Sequence, residues 1–228
     1  LVPVHHIEGH ICANYPENKD LEPPFVILVI SGGHTYLAIC SEYGKYEIVG
    51  QTRDDAAGEA FDKVARAIGL GYPGGPKVDK LSKSGNPDAF DFPIAHIADA
   101  PFDFSYSGVK SAVLNQLNTA KMNGMEINSA DVAASFQKAI IGSTVPKAIA
   151  LCKEKNINKL AIAGGVASNS ALREALQSAC DKEGIQFCSP SPVMCTDNAA
   201  MIGAAAYYKY LNNEFSGLDL NAIPNLSL

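Results

Sequence analysis

Several things are missing from this 228-residue chain, and each absence removes a class of protein. No apolar run approaches the length of a membrane span, because charge, glycine or proline interrupts every candidate. A membrane partner is therefore not expected. The six cysteines (Cys12, Cys40, Cys152, Cys180, Cys188 and Cys195) form no CxxC pair, and several sit in apolar contexts. They read as reduced, mostly buried thiols of a cytoplasmic protein. Positive charge is not in excess. The net charge of −6 argues against broad, unaided binding to nucleic acid, while leaving room for a local basic patch or for a nucleic acid presented by a partner. Repeats and low-complexity segments are absent too. The chain opens at Leu1 without a basic stretch followed by an apolar one, and VPVHH has the character of mid-protein sequence. The expectation is a piece of something longer.

What is present is a globular composition, 47% hydrophobic, enough for one large domain or two small ones. The organising stretch is FVILVISGGHTYLAIC, Phe25–Cys40. Phe25–Ile30 is an unbroken apolar run, as expected of a strand buried on both faces. Ser31-Gly32-Gly33-His34-Thr35 then leads into a second β-rich run. Two glycines permit positive φ and a tight reversal, and they bare the backbone N–H groups, while Ser31 and Thr35 add hydroxyls. Such a turn is either an ordinary hairpin or a cradle for an anion, typically phosphate.

Upstream, VHHIEGHIC puts His6 and His10 four residues apart, on one face if the segment is helical. That spacing suits Zn or Fe but supplies only half a site, and two surface or capping histidines would look the same. A zinc protease is excluded by position: the HExxH pattern needs Glu directly after the first His, whereas Ile7 follows His6 and Glu8 points off the histidine face. Asn14–Pro24 is loop-like.

After the hairpin, Lys45–Gln51 alternates as a third strand, and a helix follows from Asp54-Asp55, which have the character of N-caps. Within it Glu59 and Lys63 form an i,i+4 pair. Asp62, on a stripe thinned by Gly58, is either a solvated charge or a carboxylate for ribose hydroxyls. Gly69–Pro76, with four Gly and two Pro in eight residues, predicts an irregular, stiff loop. Asn86–Pro101 is a polar connection. Ser107 is a candidate cap for a helix to about Leu117, and Lys110 in its first turn points to an anionic neighbour. Ser129–Asn156 is the longest helical segment, with Gly142 and Pro146 predicting a kink or break. Lys159–Ala163 is a buried strand running into Gly164-Gly165-Val166-Ala167-Ser168-Asn169 and a helix, an arrangement that faces ligands. Ile185–Cys188 is the last strand, Pro190–Met194 a loop, and a final helix runs to about Asn212. Thr196 or Asp197 would cap it; Asp197 is a third metal ligand only if the fold brings it to His6 and His10. The tail from Phe215 reads as a closing loop.

The order βββα, helical insertion, βαβα is α/β and has the pattern of one actin-like half, RNase H-like in its strands, as in sugar kinases and Hsp70. In sequence order, VHHIEGH, ISGGHT, DDAAGEAFDKVA, YPGGP, FSYSGVK, GGVASN and CTDNAAMIG resemble the motif set of the tRNA N6-adenosine threonylcarbamoyltransferase family, formerly named O-sialoglycoprotein endopeptidase or glycoprotease. The resemblance implies an actin-like ATPase (ASKHA) fold with a metal at its cleft. It implies threonylcarbamoyl transfer from threonylcarbamoyl-adenylate to the N6 amine of the adenosine beside the tRNA anticodon. It also implies one divalent ion, Fe or Zn, on His6, His10 and Asp197. Threonylcarbamoyl-adenylate, or ATP or AMP in its place, would be held by Ile30, Ser31, Gly32, Gly33, His34, Asp62, Gly75, Asp79 and Asn169. The implied partners are tRNA, a paralogous non-catalytic subunit and a small P-loop ATPase, or elsewhere a kinase-containing complex.

Relative to that family the N-terminal portion is absent. Residues 1–24 are expected to be a remnant of the first half carrying HxxxH, and residues 25–228 the second half with a helical insertion over about 70–155. Catalytic groups are then expected in the missing part, with the fragment inactive alone and its docking surface prone to self-association. Two readings compete: a non-catalytic actin-like scaffold subunit, and a sugar-kinase-like ATPase. The scaffold has no need of the HxxxH pair, and the kinase gives no reason for it.

Overall fold

The computed structural model describes residues 1–224, 226 and 228. At its centre is β1 (Phe25–Ile30), every residue of which is fully buried, as its uninterrupted apolar run requires. β2 (Thr35–Glu42) pairs with it antiparallel, Val26 opposite Ile39, and β3 (Lys45–Gln51) pairs with β2 in turn. On the other side β4 (Lys159–Ala163) runs parallel to β1, Val26 opposite Leu160, and β5 (Gln186–Cys188) runs parallel to β4. The order β3-β2-β1-β4-β5 is that of the RNase H-like half expected from the sequence.

Alternation along β1 divides the core. Val26, Leu28 and Ile30 face Phe61, Val64, Phe136 and Ile140 from the helices α2 (Ala57–Ala67) and α5 (Ser129–Lys155), with α6 (Ser170–Glu183) beside them. Phe25, Ile27 and Val29 face Ile7 and Ile11 of α1 (His6–Cys12) and Leu21 of the following loop. All six cysteines are free and buried. No helix among the described residues is long and apolar enough to cross a membrane.

The helices depart from the sequence reading mainly at their caps. Asp54 and Asp55 do not cap α2, whose first turn instead directs the Ala57 N–H to Thr35 Oγ1 at 3.1 Å. Thr35 is thereby buried and is not a donor in the loop. Asp54 instead caps α4 (Ser107–Met122) across fifty residues: its carboxylate accepts from the N–H groups of Tyr106 and Ser107 and from both serine hydroxyls, Ser105 and Ser107. Those bonds outweigh the cost of its partial burial and hold the Asp54 carboxyl below the usual aspartate range. The anionic neighbour of Lys110 is Asp55, at 2.7 Å, and Glu59 pairs with Lys63 at 2.7 Å as its spacing predicts.

The loop expected over Gly69–Pro76 ends early: residues 69–73 are irregular, but Gly74–Pro76 already belong to a helix, α3 (Gly74–Ser82). Its first turn carries Gly74, Gly75 and Pro76, where proline has no helical N–H to lose, and its cap comes from Asp62 of α2. The long helix α5 runs unbroken through Gly142 and Pro146. Proline inside a helix costs about 3 kcal/mol. Here Val145, Ala148, Ile149 and Leu151 are buried on the core, and Ser143 and Thr144 direct their hydroxyls to the Ile140 carbonyl, so tertiary packing outweighs the break. Pro192–Cys195 forms a short helix, α7, where a loop is expected. The last helix, α8 (Ala199–Leu211), is capped by Asn198 rather than Thr196 or Asp197.

Candidate functional site

Two clusters share one cleft at the carboxyl ends of β1 and β4. The first is built by α1 packing on α8. Gly9 makes the close approach possible, since a Cβ there would meet Ile202 Cδ1 at 3.0 Å. Because Asn198 takes the capping role, the Asp197 carboxylate is left facing α1. Its Oδ1 lies 3.5 Å from His6 Nε2 and 3.2 Å from His10 Nε2, and one ligand atom from each residue lies within 4.8 Å of the others. Two imidazole nitrogens and one carboxylate oxygen are a donor set that divalent Zn or Fe accepts, with further positions open. Burial first, then His6, pushes His10 downward, which favours the neutral imidazole, the form that ligates. Its Nδ1 is buried without a hydrogen-bond partner among the described residues. Glu8 turns the other way, into the core, and meets Lys209 of α8 at 3.4 Å.

The second cluster surrounds the turn Ser31–His34. Ser31 closes it, donating its N–H to the His34 carbonyl at 2.8 Å and accepting the His34 N–H on Oγ at 3.1 Å. The tight reversal forms between β1 and β2, but neither Gly32 nor Gly33 uses the positive φ that glycine permits. Their contribution is bareness: a Cβ on either would meet nothing within 4 Å, and among the described residues neither N–H meets a protein acceptor. Glycine is required instead on both flanks. A Cβ on Gly58 would lie 2.6 Å from the Ser31 carbonyl oxygen. Gly164, at φ +92°, would bring one 2.6 Å from that of Ile30. The turn is therefore wedged between α2 and the strand-end glycine.

The remaining residues singled out by sequence line a cavity of about 380 Å³ beside this turn, with Gly32, Asp62, Gly75, Asp79 and Asn169 in its wall. Ile30 ends β1 beneath it and is fully buried. The polar groups are braced. Asp62 Oδ1 accepts from the Gly74 N–H at 2.7 Å, Asp79 accepts from the Ser170 N–H and hydroxyl at 3.2 and 3.0 Å, and Asn169 Oδ1 caps α6 at Leu172. A second cavity of about 550 Å³ contains His6, His10, Asp197, Ser31 and His34. Burial, then His6 and His5, keeps His34 below the usual histidine range. The two cavities meet at Gly32, Gly165 and Thr196. Larger than either, a space of about 790 Å³ between α5 and α6, edged by Val145, Pro146 and Ala179, lies away from both clusters.

Sequence reasoning passed over Phe61, Tyr72 and Thr196 in these walls. Tyr72, largely exposed at the cavity mouth beside Pro73, had a signal available: an aromatic residue inside a Gly/Pro loop. Thr196 had none apart from its neighbour Asp197.

The family model for tRNA N6-adenosine threonylcarbamoyltransferase matches residues 1–204. Relatives of that name from Clostridium kluyveri and Clostridium perfringens are 60% and 62% identical over the whole chain, which spans about two thirds (67%) of their length. Among solved structures, full-length HypF in its phosphate- and nucleotide-bound form superposes with a TM-score of 0.68 at 17% identity, over 91% of this chain and 36% of that one. That likeness bears on the fold alone. With the sheet order it gives the actin-like ATPase fold, and the family match gives the rest: the chain belongs to the tRNA N6-adenosine threonylcarbamoyltransferase family of transferases.

Proposed function

We propose that the full-length protein transfers a threonylcarbamoyl group from threonylcarbamoyl-adenylate to the N6 amine of the adenosine beside the anticodon in tRNA. The observation that carries this reading is the meeting of two unlike clusters at Gly32, Gly165 and Thr196: a ligand set for a divalent ion and a bare-backbone turn of the kind that holds phosphate.

The donor is a mixed carbamic–phosphoric anhydride, already activated, so a covalent enzyme nucleophile is not needed. The amine attacks the carbamoyl carbon, the bond to the phosphate oxygen breaks, AMP leaves with that oxygen and its electron pair, and the proton the amine sheds goes to the departing phosphate or to water. Charge develops on the carbonyl oxygen and on the departing phosphate. The N–H groups of Gly32 and Gly33 are oriented before the reaction by the Ser31–His34 closure, which is the kind of preorganised donor that favours such charge. The first turn of α3, carrying Gly75, adds the positive end of a helix dipole. Asp62, Asp79 and Asn169 hold the nucleotide portion. His6, His10 and Asp197 hold the ion, which when bound supplies Lewis-acid polarisation and orientation of the donor; its identity is Fe or Zn.

The 228-residue piece is proposed to be inactive alone. It works, in this reading, with the rest of its chain, with tRNA and with a paralogous non-catalytic subunit and a small P-loop ATPase, or in a kinase-containing complex. The exposed Tyr207, Tyr210 and Leu211 of α8 favour self-association of the isolated piece.

The test supplies full-length protein, tRNA and threonylcarbamoyl-adenylate and measures the modified nucleoside by mass spectrometry. Transfer by the native protein and its loss in His10→Ala are expected. Nucleotide binding without transfer would favour a scaffold, and ATP consumed with phosphoryl transfer to a small molecule would favour the kinase-like alternative.

A further inference from the structure

A buried amide in the middle of α5 connects the two sequence motifs that wall the 380 Å³ cavity. Gln137 is 5% exposed, on a helix turn otherwise filled by Phe136 and Ile140. Its Nε2 donates to Ser82 Oγ at 2.9 Å, and its Oε1 accepts from Asn169 Nδ2 at 2.7 Å. Ser82, also buried, donates its hydroxyl hydrogen bond to the Asp79 backbone carbonyl at 2.9 Å. The Asp79 carboxylate returns the connection, accepting from the N–H and hydroxyl of Ser170, the residue after Asn169. A closed ring of hydrogen bonds thus runs from α3 through α5 to the start of α6.

The ring has a direction. Asn169 Oδ1 is committed to the Leu172 N–H, so its amide presents Nδ2 to Gln137. Gln137 must then offer oxygen to Asn169 and nitrogen to Ser82, and the Ser82 hydroxyl must point at the backbone of α3. At position 137 only a side chain that accepts on one side and donates on the other satisfies both neighbours. Gln137 is not itself among the residues lining the 380 Å³ cavity. It borders a separate space of about 460 Å³, together with Ser82 and Ser170, and Asp79 is the residue that lines both spaces.

We infer that Gln137 is a positioning residue for the adenylate: it fixes the Asn169 amide and the distance between Asp79 on α3 and the turn after β4. This rests on the reading of the cavity as the nucleotide site.

The experiment measures AMP binding by calorimetry, and KM and kcat for transfer, on the full-length protein and on Gln137→Leu, Gln137→Glu and Asn169→Ala. Losing one buried bond of this kind predicts roughly tenfold weaker AMP binding and a raised KM for Gln137→Leu, with kcat little changed. Gln137→Glu keeps the shape and accepts from Asn169, but donates to Ser82 only when protonated. Its AMP affinity is expected to approach the native value at pH 5 and to fall below it as pH rises toward 8, a divergence beyond whatever change the native protein shows as the AMP phosphate loses its second proton at about pH 6. The charged groups around position 137 are Asp79 and Lys83 from α3, Lys138 from its own helix and Glu174 from α6. All four remain in every variant, so the comparison isolates the new carboxyl. If Gln137→Leu does not fold, the pH profile of Gln137→Glu decides alone. AMP binding by Gln137→Glu that matches the native protein at every pH, with Asn169→Ala weakened, would overturn the role of Gln137 while leaving the nucleotide site standing. Native-like binding by Asn169→Ala would overturn the site itself.

Discussion

The two ends of the cleft treat their polar side chains differently. At one end Asp197 and His6 are well exposed, their side chains 77% and 55% accessible, and Asp197 has no capping duty because Asn198 performs it. At the other, Asp62 and Asp79 each bond a backbone N–H of a neighbouring helix, and Asn169 caps its own helix α6. The first end, in the proposed reading, is a set of donors for an ion. The second is part of the framework, and its residues hold helices together whether or not a nucleotide is bound. Damage at the first end should therefore appear in chemistry alone, and damage at the second in chemistry and stability together.

The sharpest way to break this contrast is Asp197→Ala in the full-length protein. We expect divalent-metal affinity to fall on the order of 100-fold or more, since even groups behind a ligand are worth 10–100-fold, with transfer falling alongside it. Tm should stay within the small range of surface substitutions. Unchanged metal stoichiometry would remove Asp197 from the site, and a large fall in Tm would contradict the division drawn above. Next comes Gly164→Ala, which puts a methyl against the Ile30 carbonyl at a positive-φ position. The expected cost is about 1–3 kcal/mol by denaturant unfolding, with weaker nucleotide binding as the turn shifts.

Asp54 measures bracing in isolation, because it lies outside both cavities. Asp54→Ala should cost about 1–2 kcal/mol as a lost cap without changing nucleotide affinity. Its pH dependence has a definite sign. The folded carboxyl is held below its unfolded value, so the native stabilisation is complete above the ordinary aspartate range and is lost as pH falls through the folded value. Asp54→Asn should flatten that acid limb in urea titrations, and an unaltered limb would count against the assignment. The smallest effect is expected of Asp62→Asn. The amide oxygen can still accept from Gly74, so Tm should change little, while nucleotide affinity falls a few-fold if the carboxylate charge also meets ribose. Unchanged affinity would reduce Asp62 to a cap for α3.

What could be read from the sequence was whatever is local. Phe25–Ile30 identifies itself as a central strand by having no polar residue, Lys45–Gln51 by alternation, and His6 and His10 share a face by spacing alone. The misreadings have a common physical origin in bonds between distant residues. Gly74–Pro76 looked irregular because the group that caps their helix, Asp62, sits in another helix, and Asp54 looked like the cap of α2 because its true partners lie fifty residues on. Pro146 marks a break in isolated-helix terms, but burial of Val145, Ala148, Ile149 and Leu151 decides otherwise. At the site, residue types were legible and their meeting was not. Nothing near Asp197 reveals that Asn198 will release it, and Gln137 reads as one polar residue in an apolar helix until Ser82 and Asn169 are seen beside it.

The parallel pairing of β1 with β4 carries a consequence for how the chain is made. Phe25–Gln51 can form a hairpin meander as soon as it leaves the ribosome, since β1, β2 and β3 are neighbours in both sequence and space. The other edge of β1 has to wait for Leu160. Until then the most apolar strand of the molecule presents an open row of backbone donors and acceptors during synthesis of more than half the chain, a contact of high order and an aggregation risk. Nascent chains halted before β4 should be the species that chaperones capture.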